Sequence, residues 1–520
     1  MSDSTIMFLI LGAAVAVFIW DRIPVGIVAF GVAISLWATG LLTIEQSLAG
    51  FGDPTVIFIA ALFVVSEALD ATGVTAWAGQ QLIAQAGDSR TRVMVLMLLL
   101  VALLTALISL NGSVAALLPV VAVMAIRLRV SPSKLLMPLA FGAHAGSLLA
   151  LTGSPINVIV SGYAEDAGVG RFGFFSFALV GLPLLAGTIA IIVLFGDRLL
   201  PERKPRTITR DFGDLARTLV DQYALEHDPD ELVSRGSGLA EIVIPPRSSL
   251  IDEVMFPGMV TDSGDLVVLA IQRKGEELAG ETTLAVGDTL LLQGTWGALE
   301  YHLDDPDVLV VDDPALVRRH AVPLGPGGAQ VLVVLAGMVI LLILGVVPPV
   351  VAGLLAAGGI VLSGVLSIEQ AYRGIAWTTV ILVAGMIPLS TAMVSSGAAE
   401  KLADGLIDVV GDAGPRALLV GIVLLIFVLG QLISNTATAL IMIPIGLSAA
   451  SEMEVSPTPI LMAICVACAA AFITPVATPA NLMVMGPGGY RFGDYWKLGL
   501  PLLALYGVVA VLLVPLIWSF

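Results

Sequence analysis

Long apolar stretches separated by short polar loops make up most of the chain, and several exceed the roughly 18 residues that mark a membrane-spanning helix. Apolar residues are continuous within these stretches rather than alternating with polar ones, which argues against a membrane β-barrel. The pattern therefore predicts an all-α polytopic membrane protein. In the first part of the chain, helices are expected near residues 5–20, 24–39 and 54–73, as a hairpin over 92–127, as a broken segment over 134–160, and near 177–197.

The same pattern returns 324 residues later in the chain. We call this constant spacing of 324 residues the repeat offset. It places the segment from Gly40 to Gln46 on the segment from Gly364 to Gln370, and further helices are expected near 329–345, 348–363, 378–396, 416–448, 457–484 and 498–518. Repeated halves are characteristic of secondary transporters. We therefore expect three domains: a first membrane repeat over residues 1–205, an inserted domain over 206–320 and a second membrane repeat over 321–520.

Equivalent loops of the two halves carry opposite charge. Those of the first half contain Arg90, Arg92, Arg127, Arg129 and Lys134, whereas those of the second contain Glu400, Asp404, Asp408, Asp412, Glu452 and Glu454. Because basic loops stay in the cytoplasm, the repeats should be inverted with respect to each other. The insertion is also flanked by basic residues, namely Arg198, Arg203, Lys204, Arg206, Arg318 and Arg319. We therefore expect a multi-pass protein of the cell membrane with a cytoplasmic insertion and both termini extracytoplasmic.

Composition and charge narrow the function further. Hydrophobic residues make up 58% of the chain and charged residues only 12%, which excludes a soluble enzyme. The first apolar run lacks a preceding basic residue, so it is not expected to be a cleaved signal peptide. Of the 41 acidic residues, 22 lie in the insertion, and this acidity argues against a nucleic-acid partner. Strand-like patterns near 241–246, 266–271 and 287–294 predict that the insertion is a small α+β domain.

Two polar breaks interrupt the apolar sequence in each half. They lie at 110–113 and 152–157 in the first half, and at 434–436 and 476–481 in the second. Proline disfavours helix in front of it, so the two Pro-x-Asn segments should unwind. Unwound carbonyls suit a small cation such as Na⁺, and free N–H groups suit an anion. Because these segments contain no acidic or basic residue, they predict coupled symport of a cation and an anion without a cofactor.

Ser434-Asn435-Thr436, taken together with Thr478-Pro479-Ala480-Asn481, closely resembles a motif pair of the divalent anion–sodium symporters, which carry sulfate or di- and tricarboxylates. The resemblance covers both halves. It implies re-entrant helical hairpins, a homodimer, and an elevator motion of a transport domain against a scaffold.

The resemblance also implies a set of site residues. The anion would be bound by Asn111, Ser113, Ser154, Pro155, Ser434, Asn435, Thr436, Thr478 and Pro479. One Na⁺ would be bound by Asn111, Gly153 and Asn157, and a second by Asn435, Ala477 and Asn481. Leu110 and Gly112 depart from the motif, because they stand where the family has hydroxyl residues, and Ser109 and Ser113 are candidates to replace them. With fewer hydroxyl donors, sulfate becomes a candidate beside a dicarboxylate.

The insertion is similar to the TrkA-C (RCK-C) module of potassium-transport regulators, on the strength of its three strand-like segments. Modules of that family pair into dimers, and some bind cytosolic small molecules. The similarity therefore implies either a small-molecule regulator or a dimerising role, and the sequence leaves both open.

Two other functions stay open as alternatives. A sodium–proton or metalloid-anion antiporter on the same fold should carry intramembrane carboxylates, and a gated channel with a regulatory cytosolic domain should offer a pore-lining ring. The four breaks contain neither feature. His144 is a candidate for proton coupling or for hydrogen-bonded packing, and the pair Cys465 and Cys468 is interpreted as packing residues of an apolar helix.

Overall fold

The computed structural model describes the chain except for residues 1, 21, 76, 80, 82–88, 129, 204–236, 262, 279, 304, 312–326, 411–413, 476 and 477. Several residues named above therefore lie outside the described part: Arg129, Lys204, Arg206, Arg318, Arg319, Asp412 and Ala477. The chain divides into two compact units. The helical unit comprises Met1–Leu69, Ala78–Thr209 and Ala329–Phe520, and the sheet unit comprises Asp70–Trp77 and Arg210–Gly328.

The first part of the helical unit confirms the helices expected from the apolar pattern, with bounds that differ by a few residues. These helices are α1 (Asp3–Trp20), α2 (Val25–Ala38), α3 (Ile44–Leu48), α4 (Pro54–Ala71), α5 (Arg90–Leu107), α6 (Leu110–Arg127), α7 (Leu136–Gly146), α8 (Pro155–Asp166) and α9 (Ala178–Leu199). Helices α5 and α6 form the expected hairpin, which turns just before Asn111.

The sheet unit contains the strands expected from the alternating pattern of the insertion. Its strands are β1 (Ser237–Val243), β2 (Val254–Met255), β3 (Leu266–Arg273), β4 (Glu276–Glu277), β5 (Thr282–Thr283), β6 (Thr289–Thr295) and β7 (Leu309–Val310), and helix α10 (Trp296–His302) follows β6. Five strands form one antiparallel sheet in the order β4-β3-β6-β1-β7, while β2 pairs with β5. Ile242, Val268 and Leu290 pack with Trp296 in its core.

An ion pair between a half-exposed arginine and a buried aspartate fixes the turn into β6. The guanidinium of Arg273 donates to both carboxylate oxygens of Asp288 at 2.7 Å, and the Asp288 side chain is fully buried. Burial alone would raise the pKa of Asp288, but the hydrogen bonds from Arg273 and from the Ala285 amide hold it below its usual value. Asp288 therefore stays ionised and anchors the turn at neutral pH.

The second part of the helical unit likewise confirms the expected helices and adds one, Ala398–Val410, that the apolar pattern did not predict. These are α11 (Gly328–Leu344), α12 (Pro349–Leu362), α13 (Ile368–Gly374), α14 (Trp377–Ser395), α15 (Ala398–Val410), α16 (Pro415–Leu429), α17 (Asn435–Glu452), α18 (Pro457–Cys468), α19 (Pro479–Met485), α20 (Tyr495–Val508) and α21 (Val514–Ile517). A π-helical turn over Val509–Leu513 joins the last two.

Among the described residues, six helical segments are long and apolar enough to cross a membrane. They are Asp3–Trp20, Ile44–Ala71, Arg90–Leu107, Ala178–Leu199, Trp377–Ser395 and Phe492–Ile517. Shorter apolar helices, among them α2, α12, α16 and α18, accompany them. The protein is therefore a multi-pass membrane protein.

Several local features recur at the repeat offset. Helices α2 and α12 start and end at positions that this offset relates to each other. Each is followed by a glycine with a left-handed backbone, Gly40 at φ 77° and Gly364 at φ 74°. Helices α3 and α13 then begin with capping boxes in which Thr43 and Ser367 are the N-cap residues.

The centre of the helical unit is formed by the two helices that lead into the Pro-x-Asn segments. Every residue of α7 is buried, and so is every residue of α18 from Pro459 onward. Small residues permit this close packing: a Cβ atom on Gly146 would collide with the backbone of Ala102 in α5. The most deeply buried helices are therefore those that position the candidate site.

The chain leaving α9 is fastened to the start of α7. Lys134 Nζ donates to the carbonyl oxygens of Leu200 at 2.7 Å and Asp197 at 3.1 Å, and so caps the C-terminal end of α9. Arg203 is tied to Asp494, in front of α20, by a bidentate ion pair of 2.9 and 3.1 Å. The end of the first membrane half is thus held against elements of both halves.

Candidate functional site

The first Pro-x-Asn segment forms a closed irregular loop between α7 and α8. The chain leaves α-helical geometry after Gly146, forms a 3₁₀ turn over Leu151–Gly153 and starts the next α-helix at Pro155. Asn157, which is fully buried, reaches back across the loop, and its Nδ2 donates to the carbonyl oxygens of Ser147 and Ala150, both at 2.8 Å. These bonds provide donors for two backbone carbonyl oxygens that have no intrahelical partner because the helix is interrupted.

The second Pro-x-Asn segment, between α18 and α19, is built in the same way. Asn481 is fully buried, and its Nδ2 donates to the carbonyl oxygens of Ala471 at 2.7 Å and Thr474 at 3.2 Å. The repeat offset places the donor and both acceptors of the first segment on those of the second. We call this pair of bonds from each asparagine the asparagine brace.

The position of the unwound backbone differs from the prediction. The proline positions predict unwinding at 152–157 and 476–481, but Pro155 and Pro479 are the first residues of α8 and α19. Proline suits this position because the first helical N–H needs no acceptor. Ser154 and Thr478 are the N-cap residues and accept from the amides of Ile156 at 3.2 Å and Asn481 at 3.4 Å. The irregular backbone therefore precedes each proline.

The tips of the two helical hairpins differ from each other. In the second half, Ser434 is the N-cap of α17 and accepts from the Ala437 amide at 3.3 Å. Asn435 and Thr436 are half-buried in the first turn, and Asn435 Oδ1 is a buried atom without a hydrogen-bond partner. The second tip thus presents an unused amide oxygen to the interior.

In the first half, Asn111 is exposed, and Ser109 rather than Leu110 receives the Gly112 amide, at 3.2 Å. Ser113 is fully buried inside the hairpin, where its hydroxyl lies 2.5 Å from that of Thr105 and donates to the Leu110 carbonyl at 3.2 Å. Ser109 therefore takes over the capping role, while Ser113 stabilises the hairpin from within.

Each hairpin is also tied to the loop of its own half. In the first half, Thr152 donates to the carbonyl oxygen of Ala106 at 2.7 Å. In the second half, the Gln431 side chain donates to Ala470 O at 3.2 Å and accepts from the Ile473 amide at 3.1 Å. Sequence reasoning missed Gln431, although a lone glutamine in an apolar run just before the Ser-Asn-Thr motif was a usable signal.

Side chains also cross between the two halves. His144 Nδ1, on α7, lies 3.0 Å from the Ala469 carbonyl, which can only accept, so Nδ1 carries the hydrogen. In the neutral ring, Nε2 is then an acceptor and receives the Thr478 hydroxyl at 3.4 Å. In the opposite direction, Cys465 Sγ on α18 donates to Asn157 Oδ1 at 3.1 Å. A central helix of each half thus supports the loop of the other.

The polar groups collected here are uncharged. Both loops and both tips present amides, hydroxyls and backbone groups, and the described residues include no cluster of three or more His, Cys, Asp or Glu that could hold a metal ion.

The remaining predicted site residues are not all brought together. Within the described part, no hydrogen bond joins Asn111 or Thr436 to the loop residues. Ser154 and Pro155 are half-buried and Pro479 is exposed, while Gly153 is buried in a turn packed on Ser147. Ala477 lies outside the described residues.

Comparisons with known proteins identify the family of the chain. The family model described as "Citrate transporter" matches residues 15–415, and the one described as "Sodium:sulfate symporter transmembrane region" matches residues 325–520. The chain is 31% identical over 603 aligned positions to the uncharacterized transporter YfbS of Escherichia coli (strain K12), and the alignment covers 98% of both chains.

Two further relatives differ in the share of the chain to which they can be aligned. The uncharacterized transporter sll0640 of Synechocystis is 28% identical over 97% of this chain and 96% of its own. The probable sodium/sulfate cotransporter 3 of Chlamydomonas reinhardtii is 28% identical over 45% of this chain and 27% of its own. The match of the family models and the similarity along the whole length to a transporter show that the chain belongs to the divalent anion–sodium symporter family and is a multi-pass membrane transporter.

Proposed function

We propose that this protein is a secondary active transporter that couples the movement of a small divalent anion, sulfate or a dicarboxylate, to Na⁺. The observation that supports this most is the combination of neutral donors with unpartnered buried amide oxygens at the interrupted helices. A neutral site does not hold a divalent anion by ion pairing, so a cation bound beside it has to supply part of the compensating charge. Coupling follows because each ion improves the binding of the other.

In this proposal the anion lies between the hairpin tips and the N-cap residues of the loops. Ser434, Asn435, Thr436, Thr478 and Pro479 line it in the second half, and Asn111, Ser154 and Pro155 in the first. Ser113 acts indirectly, through the hydroxyl pair that it forms with Thr105. Leu110 and Gly112 remove two hydroxyls from the first tip, which favours a compact oxyanion, and the name of the sodium/sulfate cotransporter relative is consistent with sulfate.

We further propose that the two membrane halves are inverted repeats. The recurrence of the asparagine brace at the repeat offset supports this, and so does reciprocal helix packing. A Cβ atom on Gly385 of α14 would lie 2.9 Å from Ala29 Cβ of α2, and one on Gly353 of α12 would lie 3.2 Å from Ala61 Cβ of α4. The repeat offset places Ala29 on Gly353 and Ala61 on Gly385, so each contact is the counterpart of the other.

An elevator motion in a homodimer completes the proposed mechanism. The buried core of α7, α8, α18 and α19 would be the moving part, because it carries both loops. The segment 206–320 would be a cytoplasmic domain that dimerises or binds a small-molecule regulator. An antiporter or channel is less well supported, because the described residues of the loops and tips contain no carboxylate and no repeated pore-lining ring.

Uptake by the purified protein in proteoliposomes tests the transport proposal. We expect radiolabelled sulfate or succinate to accumulate when Na⁺ is high outside, and to stay at the level of protein-free liposomes when choline replaces Na⁺. The two labels, each tested as a competitor of the other, identify the preferred anion. Uptake driven by a proton gradient without Na⁺ would instead make H⁺ the coupling ion, and exchange of Na⁺ for H⁺ without uptake of either anion would support the antiporter alternative.

Cysteine labelling tests the inverted topology. Leu128 and Glu452 are counterparts at the repeat offset and lie at the ends of the second hairpin helices. We expect Leu128→Cys to react with a membrane-impermeant maleimide only from the cytoplasmic side, and Glu452→Cys only from the opposite side. The native thiols of Cys465 and Cys468 are each 1% exposed, so the unmodified chain serves as the unlabelled control. Labelling of both variants from one side would contradict the inversion.

A further inference from the structure

We infer that the two halves are unequal in cation binding: the second half holds the coupling cation, and the equivalent place in the first half is closed by the protein's own hydrogen bonds. This inference rests on the proposed Na⁺ coupling and adds which half provides it. The asparagine brace allows a direct comparison, because Asn157 and Asn481 use the same amide nitrogen for the same pair of backbone acceptors. The two asparagines differ only in whether the side-chain oxygen, Oδ1, accepts a hydrogen bond.

In the second half these oxygens are unused. Asn481 is fully buried, and its Oδ1 has no hydrogen-bond partner; the same holds for the buried Oδ1 of Asn435. The other buried side-chain atoms without partners in the described part are hydroxyl oxygens, so these are its two unpaired amide oxygens. Leaving a buried carbonyl oxygen unpaired is costly, and a ligand explains it. Amide oxygens are ligands that small hard cations accept.

His144 does not satisfy the side-chain oxygen of Asn481. Its ring faces the Asn481 side chain, but Nδ1 carries the hydrogen that binds the Ala469 carbonyl. Nε2 of the neutral ring therefore has a lone pair and no hydrogen to offer to Asn481 Oδ1. Nε2 already accepts from the Thr478 hydroxyl, so Asn481 Oδ1 is the acceptor left open beside the His144 ring.

In the first half the corresponding acceptors are occupied or exposed. Asn157 Oδ1 accepts the thiol hydrogen of Cys465 at 3.1 Å, and the Ala106 carbonyl at the hairpin end accepts the Thr152 hydroxyl at 2.7 Å. Asn111, the counterpart of Asn435, is exposed. Leu110 replaces a hydroxyl residue at this tip, so it offers no side-chain oxygen. The thiol hydrogen of Cys465 therefore occupies the asparagine oxygen of the first brace, whereas the equivalent oxygen of the second brace is open.

Thermal unfolding of the full-length protein in detergent tests this inequality. NaCl is titrated against choline chloride at constant ionic strength, so that a rise in the unfolding temperature reports cation binding to the folded state. We expect the wild type to be stabilised by Na⁺, Asn481→Ala and Asn435→Ala to lose this stabilisation, and Asn157→Ala to keep it. The pair Asn157→Ala and Asn481→Ala is matched in the two brace bonds that each variant loses, and Asn157→Ala additionally loses the bond from Cys465. A lower starting stability is therefore common to both, and only the Na⁺ response separates them.

The Na⁺ dependence of uptake by the wild type gives a second measurement that needs no variant. We expect a Hill coefficient of about 1, because a single cation site is open. A clearly steeper dependence, or equal loss of the Na⁺ response in Asn157→Ala and Asn481→Ala, would overturn the inequality and leave Na⁺ coupling intact. If the wild type responds to Na⁺ in neither assay, the proposed coupling fails and the inference fails with it.

Discussion

Replacing Asn435 by alanine is expected to abolish Na⁺-driven anion uptake while the protein still folds. Asn435 opens α17, and its buried Oδ1 has no partner in the protein, so its loss leaves no other group unpaired. In the proposed site, the oxygen faces the cation and the amide faces the anion. Two hydrogen bonds to charged partners amount to about 3–6 kcal/mol, or roughly 10²- to 10⁴-fold in transport efficiency. Uptake of sulfate and succinate at saturating Na⁺ measures the loss.

Thr436→Ala is the matched control at the neighbouring position. It removes one hydroxyl and no amide, so we expect anion affinity to fall by about 0.5–1.5 kcal/mol, roughly two- to tenfold, with the Na⁺ dependence unchanged. Retention of normal Na⁺-coupled uptake by Asn435→Ala would remove this residue from the site.

Gly499→Ala is expected to lower both the unfolding temperature and the yield of folded protein. Gly499 lies on α20, and a Cβ atom there would overlap the carbonyl oxygen of Phe472 in the second loop. Gly181 on α9 meets the carbonyl oxygen of Leu148 in the first loop in the same way. Since a backbone atom cannot rotate away, the helix or the loop has to shift, at a cost of about 1–3 kcal/mol or more. Recovery as a monodisperse species and the unfolding temperature provide the measurement.

Gly337→Ala on α11 is the control, because no atom lies within 4 Å of the added methyl group. There we expect unchanged or slightly higher stability, since alanine favours a helix over glycine by about 1 kcal/mol. Equal behaviour of the two variants would show that the loop yields easily and that α20 does not fix it.

Local chemistry explains why much of the fold was predictable. Membrane helices must satisfy their backbone internally, so apolar runs report their positions directly, and the bounds of α2, α12 and α14 follow within one residue. The capping boxes at Thr43 and Ser367 involve neighbours three residues apart and needed no tertiary information. The three long strands of the sheet unit were likewise visible in their alternation, whereas its four two-residue strands were not.

The interpretation of Gly112 and the placement of Pro155 could not be derived correctly from the sequence, because a sequence pattern does not show which atoms surround a residue. The sequence makes Gly112 look like a missing hydroxyl. In the structure, a Cβ atom there would lie 3.1 Å from Ser109 Oγ and 3.2 Å from Ile108 Cγ2, so neighbours crowd the position. Pro155 was expected inside the unwound segment, but the buried brace from Asn157 to Ser147 and Ala150 closes the loop in front of it.

The sequence by itself determined the membrane class, the helix order, the recurrence at the repeat offset and the residue types at the four breaks, because these depend on composition and short spacings. Only the tertiary structure decided which side-chain atoms are free. Cys465 and Asn157 are 308 residues apart, and His144 and Thr478 are 334 apart, yet they form hydrogen bonds. Whether an asparagine oxygen is occupied by a thiol or left open depends on such contacts between the halves, which no local pattern encodes.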